Sequence, residues 1–379
     1  MKRWSFPLVA LIGAVALVAC TAKQEVAPAT PISTAAGKPA WEQEWETVLA
    51  AAKREGKVGV ISSFIGADAR KVLTEPFEKK YGISVEYMGL KGGEIGSRLE
   101  SERRAGQYLW DIGIGGTTTH LDVYKPLGAI EPIEPALILP EVKDGKNWLG
   151  GKLEFADREH LSLVMVSYSN SNTYVNSGLA KPEEFKSYKD LLDPKWKGKI
   201  LLHDPRISGP GAAVFAFFYQ HKELGPDFVR ALARQDLKIL RDTGQELEWL
   251  GQGKYPICIA CSTETAATMV KQGVPIATIN PAQLKEGGYL SAGAGAVAML
   301  NKAPHPNAAK VYVNWLLTQE TQTALARAAK YASRRLDVPN QEWLEPWQLP
   351  NANFWPAYDE PAIALKGRLD PFLKEVFGE

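Results

Sequence analysis

The sequence predicts an α/β protein of two lobes separated by a cleft, and three observations lead there. The folded part of the chain exceeds the ~250–300 residues at which a single core stops growing. A strand–helix rhythm runs once, breaks off and starts again. Two extended apolar runs, Leu163–Tyr168 and Val274–Ile279, lie between these blocks and read as passages from one lobe to the other.

The elements justify this in order. Lys2 and Arg3 precede an apolar run from Leu8 to Val18, about half the ~20 residues that span a bilayer. A short apolar stretch behind a basic start reads as an export signal over residues 1–20. The Leu17-Val18-Ala19-Cys20 sequence resembles a bacterial lipobox, in which Cys20 becomes the lipidated N-terminus; the alternative is an ordinary cleavage near Ala19. Removing 20 of 379 residues leaves 359. Residues 21–40, rich in Ala, Thr and Pro, lack the apolar bulk to pack a core and read as a flexible tether.

Trp41, Trp45, Val48, Leu49 and Ala52 recur at helical spacing, and Gly56 stops the helix after Lys53 and Arg54. Strands are expected at Val58–Ile61, Ile83–Met88 and Asp111–Ile114, with a helix from Ala67 interrupted near Pro76. The rhythm resumes with a strand at Lys199–His203, an apolar helix at Ala212–Gln220 and a strand at Ile257–Ala260. Such alternation predicts largely parallel sheets covered on both faces. With two passages, the first lobe takes residues 41–165 and 275–335, and the second takes 166–274 and 336–379.

Four segments then carry a resemblance. Val58–Gly66 reads VGVISSFIG, Gly198–Phe215 reads GKILLHDPRISGPGAAVF, Ala303–Leu317 reads APHPNAAKVYVNWLL and Tyr331–Val338 reads YASRRLDV. In this order and at these intervals the chain resembles family 1 extracellular solute-binding proteins of ABC transporters, in particular the ferric-iron-binding-like branch, from about Ala40 to Pro339. The APHPNAAK segment is the most specific piece. The resemblance implies a type II periplasmic-binding fold, and a permease and an ATPase as partners. The export signal and lipobox add an extracytoplasmic, lipid-anchored location. A monomeric carrier of a small polar or anionic solute, without a cofactor, is expected rather than an enzyme, because no nucleophile–base signature occurs; the alternatives are a metal carrier using non-tyrosine ligands and an enzyme or receptor on the same scaffold.

Ligands of open α/β sheets bind beyond the carboxyl ends of strands, where helix N-termini point. Four junctions fit: Ser62 and Ser63; Gly115, Gly116, Thr117 and Thr118; Arg206, Ser208, Gly209 and Gly211; and Ser262, Thr263 and Glu264. Hydroxyls and free N–H groups there suit an oxyanion or a hydroxylated organic solute. The same residue types also make ordinary caps and turns. Arg206 either pairs a ligand carboxylate or phosphonate or bonds Asp204 or a carbonyl. Arg334 and Arg335 either reach the cleft rim or are solvated, the second being the expectation. The iron-binding branch places adjacent tyrosines after the strand equivalent to Ile257–Ala260, where this chain has Cys261-Ser262-Thr263-Glu264-Thr265. Tyrosinate ligation of iron is therefore not expected. Glu94 and Glu264 read as helix-start acids, with a cation as the alternative.

Several classes are set aside. Lys and Arg number 44 against 43 Asp and Glu, too few to neutralise a phosphate backbone, so nucleic acid is no partner. The five histidines are dispersed without metal-ligand spacing. Gly293–Ala298 matches a dinucleotide glycine pattern but is followed by a strand-like run. No nucleophile-elbow, P-loop or zincin motif occurs. Cys258 and Cys261 lie in an extended strand, ~10 Å apart at Cα against a disulfide reach of ~7 Å, and are expected as free buried thiols unless a tight turn falls at Ala260. Trp41, Trp45 and Trp315 are expected in the core.

Overall fold

A computed structural model describes residues 38–379 other than Ser171, Ser208, Gly209, Ala352 and Glu379. The export signal, Cys20, most of the tether, Ser208, Gly209 and the side chain of Glu264 lie outside the described residues.

Three sheets organise the chain. In the first, strands Ser84–Gly89, Lys57–Ser62 and Ile112–Gly115 run parallel, and Ala296–Leu300 joins antiparallel with Ala296 opposite Gly115. Ile130–Glu131 and Leu163–Val164 both pair with that last strand. In the second sheet, Ile257–Ile259, Ile200–His203 and Lys238–Leu240 are parallel, Thr173–Asn176 runs against them beside Ile257–Ile259, and Ile276–Thr278 pairs antiparallel with Thr173–Asn176 at the edge. The predicted parallel cores are present, each extended through antiparallel pairings. Each sheet has its own apolar core, one built around Phe77, Tyr312 and Trp315, the other around Phe215, Phe218 and Tyr188. These are the two lobes of a type II periplasmic-binding fold.

The third sheet links them. Val166–Asn170 pairs antiparallel with Tyr289–Ser291, flanked by Ala332–Ser333 and Trp355–Pro356. Val166–Asn170 follows directly on Leu163–Val164, which pairs in the first sheet. The return passage does not fall at Val274–Ile279, because Ile276–Thr278 hydrogen-bonds to Thr173–Asn176 inside the second sheet. Tyr289–Ser291 makes the return. A buried edge strand and a crossing strand are both short apolar runs, and periodicity alone does not separate them. The segment after Val338 also divides: Trp343 packs on the first core, and Leu369 and Phe372 on the second.

Other expectations are corrected. The Ala67–Tyr81 helix is continuous through Pro76. Buried Leu73 and Phe77 flank the proline, and the Leu73 carbonyl accepts the Tyr312 hydroxyl at 2.8 Å, so packing outweighs the missing donor. Trp41 is exposed at 38%, whereas Trp315 is in the core. Arg334 and Arg335 are buried rather than solvated. Arg335 forms a two-bonded fork with Asp337, donates to the carbonyls of Leu317 and Glu141, and lies over the Trp148 ring. Arg334 donates to Tyr358 Oη and sits 3.5 Å from Glu154. Cys258 and Cys261 form a disulfide with Cα atoms 6.0 Å apart. The strand ends at Ile259, and Ala260 adopts φ 64°, the tight turn that brings the two together. Among the described residues, no helix is long and apolar enough to cross a membrane.

Candidate functional site

The first lobe's site begins where Lys57–Ser62 ends. Ser62 is fully buried and its Oγ accepts the Phe64 N–H at 3.1 Å, which folds the chain over the strand end. Ser62 thus shapes the turn. Ser63 is tied to the neighbouring strand by its N–H, which donates to the Ile114 carbonyl at 2.8 Å. Its Oγ is buried and has no hydrogen-bond partner. The residue borders a cavity of about 340 Å³ shared with the start of the Ala67–Tyr81 helix, Ala294 and Tyr331.

The second junction meets it there. Gly115 ends the adjacent parallel strand, and a Cβ at that position would lie 3.2 Å from Ser63 Oγ and 3.7 Å from His120 Nε2. His120 is fully buried, stacks on Tyr124 and shares a 2.8 Å bond between Nδ1 and Ser162 Oγ. Its Nε2 has no partner. Burial in this apolar setting pushes its pKa down to about 3, so the ring is neutral at physiological pH. Two unpaired polar atoms thus lie near a glycine whose lack of a side chain spares a tight contact with Ser63 Oγ. Thr117 is buried close by, and Thr118 is exposed. Sequence reading singled out Ser63 and Gly115 but missed His120, whose only signal is its place just after the Gly-Gly-Thr-Thr turn.

The second lobe is built differently. Ser262 caps the Thr263–Lys271 helix, accepting from Thr265 N–H at 3.3 Å and Thr265 Oγ1 at 3.1 Å. Thr263 Oγ1 accepts from Tyr174 Oη at 2.9 Å and Asn172 Nδ2 at 3.2 Å, and donates to Asn170 Oδ1 at 3.2 Å. Asn172, held at φ 46°, also donates to the Cys261 carbonyl at 2.9 Å and accepts the Tyr289 hydroxyl. Ser262 and Thr263 are therefore brought together with Asn170 and Asn172, which sequence reading passed over. Their signal was the polar Ser-Asn-Ser-Asn run at 169–172, set between two apolar strands.

At the remaining junction the weighed alternative holds. Arg206 forks onto Asp204 at 2.8 and 2.9 Å and donates to the carbonyls of Phe377 and Gly378. Burial raises the Asp204 pKa, but the bonds from Arg206 and Arg241 outweigh it and hold the carboxyl down to about 2. Gly211 faces backbone, since a Cβ there would come within 2.7 Å of the His203 and Asp204 carbonyls. Its small size serves helix–strand packing. Glu94 caps its own helix, accepting the Lys91 N–H at 2.9 Å.

Tyr331 and Tyr168 pack against each other. Their rings lie 4.9 Å apart, Tyr331 also packs on Phe64, and Tyr168 belongs to the outward passage. The hydroxyls of Tyr174 and Tyr289 are engaged by neutral partners, Thr263 and Asn172. The arrangement offers neutral hydrogen-bonding groups, aromatic faces and helix N-termini at strand carboxyl ends. That suits capture of a polar molecule.

Comparison with known proteins agrees. The "Iron uptake protein A1" of Synechocystis is 24% identical over 265 residues, covering 66% of this chain and 68% of that protein. A Trichodesmium protein, IdiA or FutA, solved with iron and citrate ligands, superposes with a TM-score of 0.66 at 16% identity, over 86% of this chain and 100% of the other. AfuA from Actinobacillus pleuropneumoniae, solved with fructose-6-phosphate, gives a TM-score of 0.57 at 20% identity, over 85% and 98%. The profile of the bacterial extracellular solute-binding protein family matches residues 73–351, and the chain belongs to that family, the substrate-binding components of ABC importers.

Proposed function

We propose that this protein captures a small hydroxylated anion between its lobes, outside the cytoplasmic membrane, and hands it to an ABC permease. The observation that carries this reading is the pair of unsatisfied groups, Ser63 Oγ and His120 Nε2, both close to Gly115 at the end of the Ile112–Gly115 strand. A buried polar atom without a partner costs about 1–3 kcal/mol, and a ligand hydroxyl or oxyanion placed there removes that cost. Arg206 and Arg334 are already paired with Asp204 and Glu154, so neutral donors and helix N-termini carry recognition. Citrate, named together with iron in one solved neighbour, and fructose-6-phosphate, named in the other, are both hydroxylated anions. The lobes exchange near Met165 and Ala292 and close on the solute about the linking sheet, presenting one shape to the permease. Cys20 supplies a lipid anchor, and the solute leaves chemically unchanged.

Calorimetry over hydroxycarboxylates, sugar phosphates, neutral sugars and ferric citrate tests the reading. The expected result is saturable binding of one anionic class, with a smaller radius of gyration at saturation by small-angle scattering. Binding confined to neutral sugars would overturn the anionic reading. A visible charge-transfer band with ferric iron, abolished by mutating a tyrosine, would favour the metal-carrying reading instead.

A further inference from the structure

Behind the second lobe's strand ends lies a cluster that solute capture does not use. Glu246, on the Thr243–Gly251 helix, is fully buried. Its Oε1 lies 2.8 Å from His203 Nδ1, at the end of the Ile200–His203 strand. Its Oε2 is buried with no partner. The two cysteines occupy the neighbouring strand end, and one carboxyl oxygen of Glu246 and the two sulfurs all lie within 4.8 Å of one another. All three residues are buried.

This geometry is unusual for a purely structural disulfide. A disulfide needs no carboxyl group beside it, and a carboxyl oxygen left without a partner in an apolar setting is costly. The set matches a soft-metal site instead. With zinc–sulfur bonds of ~2.3 Å and zinc–oxygen bonds of ~2.0 Å, the ligand atoms of a tetrahedral site stand roughly 3.5–3.8 Å apart; the sulfurs are bonded to each other here and must part by reduction, while the carboxyl oxygen already lies within 4.8 Å of both. The His203 bond to the second carboxyl oxygen is the outer contact that fixes a ligating carboxylate in metal sites.

We propose that reduction of the Cys258–Cys261 disulfide uncovers a second site, for a thiophilic divalent cation of the zinc class. Cys258 Sγ, Cys261 Sγ and Glu246 Oε2 are its ligands, and His203 is a positioning residue. The chemistry has two balanced steps. A dithiol reductant supplies two electrons and two protons, breaking the sulfur–sulfur bond and itself becoming a disulfide. The cation then displaces one proton from each thiol and binds both thiolates. The fourth position is left to water. The proposal does not rest on the identity of the cleft's solute. It does bear on that cleft, because Asn172 bonds to both the N–H and the carbonyl of Cys261.

Cobalt(II) is the probe, added without oxygen to the full-length protein before and after treatment with a phosphine reductant. The reduced protein should bind about one equivalent and show an intense near-ultraviolet thiolate-to-cobalt band that zinc abolishes. The oxidised protein should show none. Cys258→Ser should abolish the band. Glu246→Gln should weaken binding tenfold or more, and His203→Gln should do so to a smaller extent while keeping the band. If reduction itself melts the protein, zinc must restore the melting temperature. A folded, reduced protein without the band would overturn the proposal. So would unchanged affinity in Glu246→Gln, or a melted, reduced protein that zinc does not rescue; the pair is then a structural crosslink alone.

Discussion

The two lobes present strand ends of the same topology but opposite states of satisfaction. In the first lobe, Ser63 Oγ and His120 Nε2 are buried and unpaired around Gly115. In the second, Ser262, Thr263, Arg206 and Asp204 are bonded to their own protein, through a cap, a hydroxyl–amide network and an ion-pair fork. The difference separates two uses of the same residue types. Groups that spend their bonds internally fix the shape of a surface. Groups left unpaired gain from a ligand, so under the proposed function the first lobe supplies most of the binding free energy.

The comparison can be broken from either side. The largest effect is expected from Arg206→Ala. It removes the fork from buried Asp204 and should cost about 3 kcal/mol of stability in urea unfolding, leaving solute affinity nearly unchanged. The acid profile should change as well. Asp204 has its folded pKa below its unfolded value of 3.8, so its stabilisation is present above that pH and fades as pH falls towards about 2. Arg206→Ala should flatten that part of the curve. A large affinity loss without loss of stability would return Arg206 to the ligand.

Gly211→Ala comes next, at about 1–3 kcal/mol, because the new methyl meets the His203 and Asp204 carbonyls. Melting of the empty protein should register it. An unchanged melting temperature would show that this helix start has room for a ligand.

His120 gives a pH signature in the first lobe. Its folded pKa of about 3 lies below the unfolded 6.5, so stability is full above 6.5 and declines as pH falls from there towards 3. The slope is at most about 1.4 kcal/mol per pH unit. His120→Asn should flatten it; an identical slope would mean that the ring protonates freely in the folded state. The smallest effect is expected from Ser63→Ala, which should weaken solute binding several-fold, about 1 kcal/mol, and leave the empty protein no less stable. Lower stability with unchanged affinity would place Ser63 among the internally spent groups.

What the sequence made legible was what local pattern encodes. The strands at Val58–Ile61 and Lys199–His203 and the Gly56 stop all rest on spacing within a few residues. Features decided by a distant partner were not legible. Ile276–Thr278 is an edge strand because Thr173–Asn176 lies beside it, and Arg335 is buried because Asp337, Leu317 and Trp148 surround it. The turn at Ala260 depends on a left-handed backbone at an alanine, which no residue preference signals. The site divides in the same way. Ser63 and Gly115 were marked by topology, whereas His120 became a candidate only through its buried, unpartnered Nε2.

The linking sheet has a mechanical consequence. Its two crossing strands are not independent tethers; they are laced together, with Tyr168 opposite Ser291 and Asn170 opposite Tyr289. Two loose connectors would let the halves slide, twist and tilt. A laced ribbon resists sliding along its length, because each step of slip breaks rungs, but it flexes readily across its plane. The molecule is thus built like a leaf spring with one compliant direction, and a load on either half is felt along a single path.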